Sequence, residues 1–584
     1  MKNLLGLVIL GCILTSSVAL AEPSLIVVFP KTSYQTSSQK IFFLGTAPPD
    51  GQVLINSKPI TRSKAGHFSP SFPLQLGENL FTVRHDNQEL QIKVTRLPTD
   101  PELPQGLAFA KDSLVPAVDI ARLPGELICF SAIAPPNASV SVKLANQTIA
   151  LPLQPQQAQL PSNLAALTGQ NQPYAQSSVG NYKGCTTLTT AADLGQPQFQ
   201  LTLNGKTITQ PGAGKIQILS RAELPVSEVT VESGVARTGP STDYSRLTPL
   251  PKGTRATVTG REGEWLRLDY GAWINSKETR ILPGAIPPQT IIRSVGYRQL
   301  PGATEIIFPL QVPVPVSVQQ SEGAFALTLY NTTAQTDIIR LDDDPLISRL
   351  DWQQEAPEQV KYTFNLKKAQ QWGYKLRYDG TTLVLALRHP PKIGNTRRKP
   401  LANLKIVLDP GHGGKETGAS GPTGYLEKDV NLVVSKLLRD ELVKRGATVV
   451  MTREDDRELS LVERQAIISQ EEPAIAISIH HNSLPDDGDA EKTKGFAAFW
   501  YQPQAHNLAM YLQKYVVKKI GKPSYGVFWD NLALTRPTAA PSVLLELGFM
   551  SNPDEFEQIV NPEEQKKTAN AIAQGITEWF RSVR

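Results

Sequence analysis

Two histidines and one glutamate lie where metal ligands and proton-transferring groups are commonly found. His412 lies in the glycine-rich loop of LKIVLDPGHGG, directly after a short apolar, β-branched run. His480 ends the apolar run of AIAISIHHN, and Glu546 lies within the run SVLLELGFMSN. Ligands of open α/β sheets collect outside the carboxyl ends of the strands. We therefore expect these side chains to converge, although they are far apart in the sequence.

These residue types suit a hydrolytic zinc site. A catalytic zinc uses about three protein ligands and keeps a fourth position for water. His412, Glu427 and His480 would supply such a set, because Glu427 lies in a loop just before a helix and can reach back across the sheet edge. The zinc would lower the pKa of the bound water and polarise a substrate carbonyl. Glu546 is the candidate general base for that water.

Each residue also has a simpler explanation when it is taken singly. Glu427 can interact with a helix dipole, and either histidine can be a satisfied structural side chain. Glu546 fits such an explanation less well, because a carboxylate among leucines is costly to bury without a strong partner. One shared site explains all four residues together, and we prefer it for that reason.

The segment that must position these residues, 403–584, alternates between strands and helices. Valines and leucines at helical spacing predict one helix over 429–446, with Gly446 as its stop. Ser460 and Glu463 predict a capping box at the start of another helix. Two more helices are predicted at HNLAMYLQKYVVKKI and EEQKKTANAIAQGITEWFRSV. The pattern predicts an α/β domain with a central, mostly parallel sheet and flanking helices.

The motifs DPGHGG, SIHHN and LLELGFMSN, together with Glu427 before DVNL, resemble the zinc-dependent N-acetylmuramoyl-L-alanine amidase family over roughly 403–584. The resemblance implies hydrolysis of the amide between the lactyl group of N-acetylmuramic acid and the first L-alanine of the stem peptide. It implies His412, Glu427 and His480 as ligands of Zn²⁺ and Glu546 as the catalytic glutamate. Peptidoglycan is the expected partner, and an envelope activator or division protein is a further candidate.

Two neighbouring residues and one missing insertion refine this interpretation. His481 falls where the family usually has a small residue, so we treat it as a neighbour of the site. Asn482 matches a polar position and is a candidate for orientation or substrate contact. Some family members insert a helix after the second histidine that blocks the zinc, whereas only HHNSLPDDGDAEKTK separates Ile479 from Gly495 here. We expect no autoinhibition by that route.

The sequence before the α/β domain is rich in short β-runs and turns. The turn spacing in 22–98 predicts an immunoglobulin-like β-sandwich. Residues 99–222 are a second β-rich region, and a Gln/Pro/Ser-rich stretch from Gln154 to Asn181 predicts a long flexible loop. Residues 284–391 resemble the AMIN-type β domain that often precedes wall amidases. A basic linker, 392–402, follows.

Residues 223–283 resemble the bacterial SH3-like domain through VARTGPS, LPKGT, GEW and AWI. The segment departs from the family at Ala236, where Asn or a similar residue is common, and at Ala272, where Gly is usual. Trp265 and Trp273 are candidates for groove-lining aromatic residues, although a core position explains each of them at least as well. The resemblance implies binding to the wall or to another protein.

Residues 1–21 have the order of a cleavable signal peptide, with Lys2, an apolar stretch and then Ala19-Leu20-Ala21. We therefore expect export to the periplasm or cell wall. Too few apolar residues precede Cys12 for us to favour a lipoprotein signal. No later stretch approaches the apolar length of a membrane span, so we expect none in the mature chain.

Removal of the signal peptide leaves Cys129 and Cys185 in an oxidising compartment. We expect them to form a disulfide, with two buried free thiols as the alternative. The net charge of +5 gives no argument for nucleic-acid binding. A mildly basic protein would still be attracted to an anionic wall.

Two other functions remain open on the sequence alone. One is a catalytically inactive wall-binding scaffold, which the intact ligand set and Glu546 disfavour. The other is a zinc peptidase that acts on the stem peptide. The short HExxH helix of many such enzymes is absent, and the candidate ligands come from separated loops.

Overall fold

The computed structural model describes residues 24–99, 103–155, 158–169, 171–175, 180–394 and 398–583. The predicted signal peptide, 1–21, and part of the predicted basic linker lie outside these residues. Within them, β-rich modules precede a C-terminal α/β domain, which confirms the predicted fold class. No helix in this part of the chain has the length and apolar character needed to cross a membrane.

Residues 24–99 fold into small antiparallel and mixed sheets around a core that includes Phe43, Phe68 and Val83. Alternate residues of the longer strands are buried, as expected for strands with one solvent-facing side. The strands are Ile26–Phe29, Ser33–Thr36, Lys40–Phe42, Leu44–Thr46, Val53–Ile55, Lys58–Pro59, His67–Phe68, Ser71–Pro73, Gly77–His85 and Gln88–Arg96.

The second β-rich region shares a sheet with the SH3-like domain, because its strand Ile120–Arg122 pairs with Arg255–Glu262. Cys129 lies opposite Cys185 on two paired strands, and a disulfide joins them. The described residues of the stretch predicted to be a long loop include a helical turn, Ala165–Thr168, and two short strands that pair with each other, Ala158–Gln159 and Tyr174–Ala175. The strands are Ile120–Arg122, Leu127–Ile133, Ser139–Leu144, Gln147–Leu151, Ala158–Gln159, Tyr174–Ala175, Asn181–Thr187, Ala192–Gly195, Gln198–Leu203, Lys206–Pro211 and Ile216–Ile218.

The SH3-like domain is a small barrel whose tryptophans are covered by arginines. Trp273 is buried, and Arg122 and Arg267 lie over its ring. Arg237 lies over the ring of Trp265. The core explanation therefore holds for Trp273. The strands are Val226–Val229, Ser233–Gly234, Leu250–Pro251, Arg255–Glu262, Trp265–Leu268, Trp273–Asn275 and Thr279–Leu282, with a 3-10 turn at Ser276–Glu278.

The next module packs a five-stranded and a four-stranded sheet around Phe308, Tyr362 and Leu383. The two sheets bury alternate apolar residues against each other, as in a β-sandwich. The strands are Thr290–Leu300, Ala303–Phe308, Val316–Ser321, Ala324–Tyr330, Thr332–Ile339, Ile347–Ala356, Gln359–Leu366, Tyr374–Asp379 and Thr382–Arg388.

The α/β domain has one six-stranded sheet in the order β2-β1-β3-β6-β4-β5. Strands β1 to β3 and β6 are parallel to one another, and β4 and β5 run in the opposite direction. The strands are β1 (Lys405–Pro410), β2 (Thr448–Met451), β3 (Ile475–Asn482), β4 (Phe496–Trp500), β5 (Ser524–Trp529) and β6 (Ser542–Phe549). The helices are α1 (Glu427–Lys444), α2 (Leu461–Glu471), α3 (Pro503–Ile520), α4 (Pro553–Ile559) and α5 (Pro562–Ser582), with a 3-10 turn at Ala533–Thr535.

The modules in front of this domain pack directly against it. The Tyr34 hydroxyl donates a hydrogen bond to the Asp486 carboxylate over 3.0 Å. His67 packs edge-on against Phe556. Trp372, which precedes the α/β domain in sequence, is only 3% exposed because it lies in the core of that domain against Trp579. The α/β domain therefore completes its packing with residues from the modules before it.

Candidate metal centre

The loop after β1 is shaped to present His412. Gly411 is required by its surroundings, because a Cβ atom there would lie 2.2 Å from Cε1 of His480. His412 itself has φ +60°, a left-handed conformation that most side chains avoid. The loop brings the first candidate ligand directly against the second, and the His412 and His480 rings have centroids 4.9 Å apart.

Two buried arginines fix the backbone of this loop. Arg464 donates hydrogen bonds to the Asp409 carboxylate over 2.7 Å and to the carbonyl of His412 over 2.6 Å. Arg453 donates to the carbonyls of Pro410 and Gly411. Carbonyls of an irregular buried loop need such donors, since an unpaired one is costly. The arginines therefore hold the histidine in a strained conformation.

Glu427 is the first residue of α1, and its carboxylate lies between the two histidines. Oε2 lies 3.2 Å from Nε2 of His412, and Oε1 lies 3.0 Å from Nδ1 of His480. Burial opposes ionisation of Glu427, but these contacts outweigh it and hold the pKa well below its usual range. The carboxylate is thus present in its ionised form, as a metal ligand must be.

Asn431, one helical turn after Glu427, orients the carboxylate. Its amide nitrogen donates to Oε1 of Glu427 over 3.0 Å. Its amide oxygen accepts a hydrogen bond of 2.8 Å from Nδ1 of His481. Burial lowers the pKa of His481 to about 3, so this imidazole is neutral at physiological pH. The backbone amide of His481 also donates to Oε1 of Glu427, so His481 supports the site from behind.

The three candidate ligands fit a single zinc ion. His412, Glu427 and His480 each offer one ligand atom, and these atoms all lie within 4.8 Å of one another. Bonds of about 2.0–2.2 Å to a tetrahedral zinc separate its ligand atoms by distances of this order. The His412 side chain is 29% exposed whereas that of Glu427 is 5% exposed, so the site opens to solvent on the histidine side.

Glu546 lies on β6 directly beside His480 on β3. Burial and the nearby charge of Glu427 raise the pKa of Glu546 well above its usual value. Its Oε2 atom is buried and has no hydrogen-bond partner among the described residues. A carboxylate in this state is the kind of group that takes up and releases a proton.

The sheet beside Glu546 forms an apolar floor made of Ala497, Phe499 and Leu544. Ala497 is the register partner of Glu546, and Phe499 is that of Leu544. Leu167, from the helical turn of the second β-rich region, packs on this floor, and the Tyr525 hydroxyl donates to the Leu167 carbonyl. A segment from a distant module therefore lies next to the candidate catalytic carboxylate.

The structure brings His412, Glu427, His480 and Glu546 together at the predicted edge of the sheet. Asn482 is half-buried at the end of β3, where its side-chain oxygen accepts a hydrogen bond from the amide of Ser483. Sequence reasoning missed the four supporting residues, which are Asp409, Asn431, Arg453 and Arg464. One signal was available, since Asp409 interrupts the buried apolar run of β1 and must have a partner.

Parts of the chain match known families. Residues 406–578 match "N-acetylmuramoyl-L-alanine amidase", and residues 234–279 match "Bacterial SH3 domain". The probable cell wall amidase LytH of Staphylococcus aureus is 38% identical over 189 residues, which are 32% of this chain. The chain spans 62% of the length of that relative.

Solved structures of amidases are also similar to part of the chain. The catalytic domain of the N-acetylmuramoyl-L-alanine amidase CwlV from Bacillus (Paenibacillus) polymyxa var. colistinus is 30% identical. The alignment covers 31% of this chain and 99% of that one, with a TM-score of 0.29. The amidase AmiC2 of Nostoc punctiforme is 31% identical, with 30% of this chain and 97% of that one covered and a TM-score of 0.29.

Proposed function

We propose, from the premise that residues 406–578 form a domain of the N-acetylmuramoyl-L-alanine amidase family, that this protein is a zinc-dependent peptidoglycan hydrolase. The bond cleaved is the amide between the lactyl group of N-acetylmuramic acid and the L-alanine of the stem peptide. The observation that carries the proposal is the convergence of His412, Glu427 and His480 beside an unpartnered oxygen of Glu546.

In this proposal His412, Glu427 and His480 hold Zn²⁺, whose chemistry when bound is to acidify a water molecule and to polarise the substrate carbonyl. Glu546 takes the proton from the attacking water and delivers it to the alanine nitrogen as the C–N bond breaks. Its raised pKa suits a group that must hold a proton between these two events. A metal held by His412, Glu427 and His480 would counter the charge of Glu427 and so would favour the ionised form of Glu546, which accepts the proton.

The products of this step are fixed by its atom balance. Water adds across the amide, so the lactyl group gains a carboxylate and the stem peptide gains a free amino group on L-alanine. No other bond of the glycan or peptide changes. These two new groups distinguish the reaction from peptide or glycosidic cleavage.

The modules in front of the catalytic domain are proposed to hold the enzyme on the wall of an exported compartment, the periplasm or cell wall. The SH3-like match supports a binding role, and the AMIN-type resemblance of residues 284–391 stays a prediction. An envelope activator or division protein is a further candidate partner. The substrate contact predicted for Asn482 also stays a prediction.

Two alternatives are weaker. An inactive wall-binding scaffold has no use for a carboxylate with a buried, unpartnered oxygen such as Oε2 of Glu546, because leaving such an atom unsatisfied costs about 1–3 kcal/mol. A zinc peptidase acting on the stem peptide would use the same metal chemistry. The match of residues 406–578 to the amidase family favours cleavage of the amide next to the sugar instead.

Mass spectrometry of the products from purified peptidoglycan tests the proposal. The full-length protein is expected to release stem peptides with a free L-alanine amino group and glycans with free lactyl carboxylates. The variant Glu546→Gln is expected to release neither product. Peptide fragments cut beyond the L-alanine, or new reducing sugar ends, would contradict the proposed bond specificity.

A further inference from the structure

A crevice of about 710 Å³ lies where the SH3-like domain, the 284–391 module and the α/β domain meet. Tyr501 and Trp529 reach it from the carboxyl ends of β4 and β5. Because these strands run opposite to β3 and β6, their carboxyl ends lie at the edge of the sheet away from the candidate metal centre. The crevice is therefore separate from the catalytic site.

Aromatic rings from the SH3-like domain, the 284–391 module and the α/β domain all line the crevice. The rings of Tyr501 and Trp529 have centroids 5.2 Å apart, and Trp529 is 58% exposed. Tyr270 of the SH3-like domain and Tyr330 of the neighbouring module have centroids 4.6 Å apart. The Tyr501 hydroxyl and the Trp529 Nε1 atom donate to the carbonyls of Arg246 and Tyr501, and these bonds hold the two rings in place. The exposed face of Trp529 is an apolar surface that matches the C–H face of a sugar ring.

Arg246 at the crevice has two other arginines, Arg237 and Arg536, as neighbouring positive charges. No carboxylate of the described residues forms an ion pair with Arg246, which lines the crevice. Burial and the neighbouring charge of Arg246 lower the pKa of Arg536 to about 10, and Arg237 adds to the same effect. Asp530 opposes this effect on Arg536, and Glu278 and Asp243 oppose the effect of Arg246 on Arg237. An anion placed at Arg246 would relieve the repulsion among these guanidinium groups.

Two buried oxygens on the crevice wall are also without partners. The hydroxyl of Tyr270 and Oε1 of Gln320 form no hydrogen bond within the described ranges. The Gln320 amide nitrogen, in contrast, donates to Gln371 over 2.8 Å. Unsatisfied buried polar atoms are uncommon and costly in folded proteins. The crevice wall therefore holds hydrogen-bonding capacity that the protein itself does not use.

The proposed reaction generates a ligand with all of these features. A glycan from which the stem peptides have been removed consists of sugar rings with hydroxyls and one free lactyl carboxylate on each muramic acid. We propose that the crevice binds this product glycan, with a sugar ring packed on Tyr501 and Trp529 and a lactyl carboxylate paired with Arg246. This inference rests on the proposed function for the identity of the polymer. In this proposal the enzyme holds the glycan strand from which it has already removed the stem peptides.

The test measures binding of two glycans to the full-length Glu546→Gln protein, which cannot cut either. One glycan is stripped of its stem peptides by an independent amidase, and the other keeps them. The stripped glycan is expected to bind about tenfold more tightly, as for one charge-assisted contact. Arg246→Gln, added to the Glu546→Gln protein, is expected to remove this preference, whereas Trp529→Ala in the same background is expected to weaken binding of both glycans.

Matched controls are Arg349→Gln and Trp352→Ala in the same background. Both residues are partly exposed and lie on the strand Ile347–Ala356. This strand is one edge of a four-stranded sheet, and the opposite edge strand, Val316–Ser321, lines the crevice. Both controls should keep the preference. Equal binding of stripped glycan by the Arg246→Gln protein and its parent would overturn the inference.

The two proposals fail independently. If the protein with Glu546 intact cleaves no amide, the proposed function is wrong. The binding test can still be carried out in that case, because the stripped glycan is prepared with an independent amidase. Amide cleavage with no effect of Arg246→Gln on binding defeats the crevice assignment alone. In the active protein, Arg246→Gln should slow digestion of insoluble wall severalfold, whereas Arg349→Gln should not.

Discussion

At the scale of single residues, the candidate site consists of the proposed ligands and base and of the residues that hold them in place, and only the first group could be recognised in the sequence. His412, Glu427, His480 and Glu546 were predictable because metal-capable side chains follow buried strand patterns at one sheet edge. The residues behind them were not predictable, since the pairing of Arg464 with Asp409 spans 55 positions. Residue types alone do not reveal which buried charges meet. The assignment of zinc to the site stays a prediction.

The separate roles of ligand and base give the first prediction. Glu546→Gln removes the proton acceptor and leaves the three ligands intact, so we expect close to one zinc per chain and a loss of turnover of about a hundredfold or more. His412→Ala should instead lose most of the metal. Metal analysis and hydrolysis assays on the same samples measure both effects.

Glu471→Gln is a matched control, because Glu471 forms a partly exposed ion pair with Lys405 away from the site. This variant should keep both metal and activity. Turnover near that of the unaltered protein in Glu546→Gln would move the general-base role to another residue.

The second prediction concerns acid stability. Burial would raise the pKa of Asp409, but the Arg464 charge and the hydrogen bonds from Ser478 and Thr452 outweigh it and lower the pKa. A carboxylate whose folded pKa is depressed stabilises the fold fully above its unfolded pKa, about 3.9, and loses this contribution as pH falls through the folded value. We expect the free energy of unfolding to decrease in this acid range.

Urea unfolding between about pH 2 and pH 7 measures this slope. Asp409→Asn should be less stable at neutral pH, because Arg464 is then buried without its counter-charge, with a loss of about 3–5 kcal/mol. It should also show a weaker dependence on acid pH. An unchanged acid slope in this variant would show that other carboxylates govern the transition.

At the scale of elements, helices with strong local sequence signals were predicted close to their observed positions. The helix predicted over 429–446 is observed at Glu427–Lys444, and the capping box of Ser460 and Glu463 is present. The reversed direction of β4 and β5 was not predictable, because it depends on long-range pairing. The predicted long flexible loop also contains a helical turn, since Leu167 packs on the apolar floor beside Glu546.

The disulfide between Cys129 and Cys185 gives the third prediction. It closes a segment with a sequence separation of 56. A loop of this size is expected to contribute about 2–4 kcal/mol, mainly by restricting the unfolded chain. Replacing both cysteines with alanine should therefore lower the Tm of the second β-rich region and leave zinc content unchanged. Calorimetry with and without reductant, together with thiol counting by mass spectrometry, measures this.

At the scale of the whole molecule, the modules are coupled to the catalytic domain. Arg388 donates hydrogen bonds to the carbonyls of Pro473 and Ala539, both 2.6 Å long. Trp372 lies in the core of the α/β domain although it precedes that domain in sequence. The domain boundary predicted at residue 403 therefore does not separate two independent cores.

This coupling gives the fourth prediction. A fragment lacking residues 22–390 keeps the ligands His412, Glu427 and His480 and should bind close to one zinc, but it loses Trp372 and should unfold at a lower temperature. In the full chain, Trp372→Ala should cost about 3–5 kcal/mol. Trp352→Ala, at a partly exposed position, should cost little. Thermal unfolding of the four proteins provides the comparison.

The same fragment should sediment less with insoluble wall and still cut the same bond, because the front modules are proposed to place the enzyme rather than to contribute to catalysis. Equal sedimentation of the fragment and the full chain would leave the modules as spacers or as docking sites for another protein. Well under one zinc in a folded fragment would remove the ligand assignment.

The position of Leu167 against the sheet also has a consequence for the order in which the protein is made. Domains fold largely as units during synthesis, beginning with those nearest the amino terminus. Leu167 precedes Phe499 and Leu544 in the chain, so the segment that covers the sheet is synthesised before the sheet on which it packs. The candidate ligands and Glu546 also follow Leu167 in the chain, so the proposed hydrolytic centre is synthesised after the segment that covers the sheet beside it.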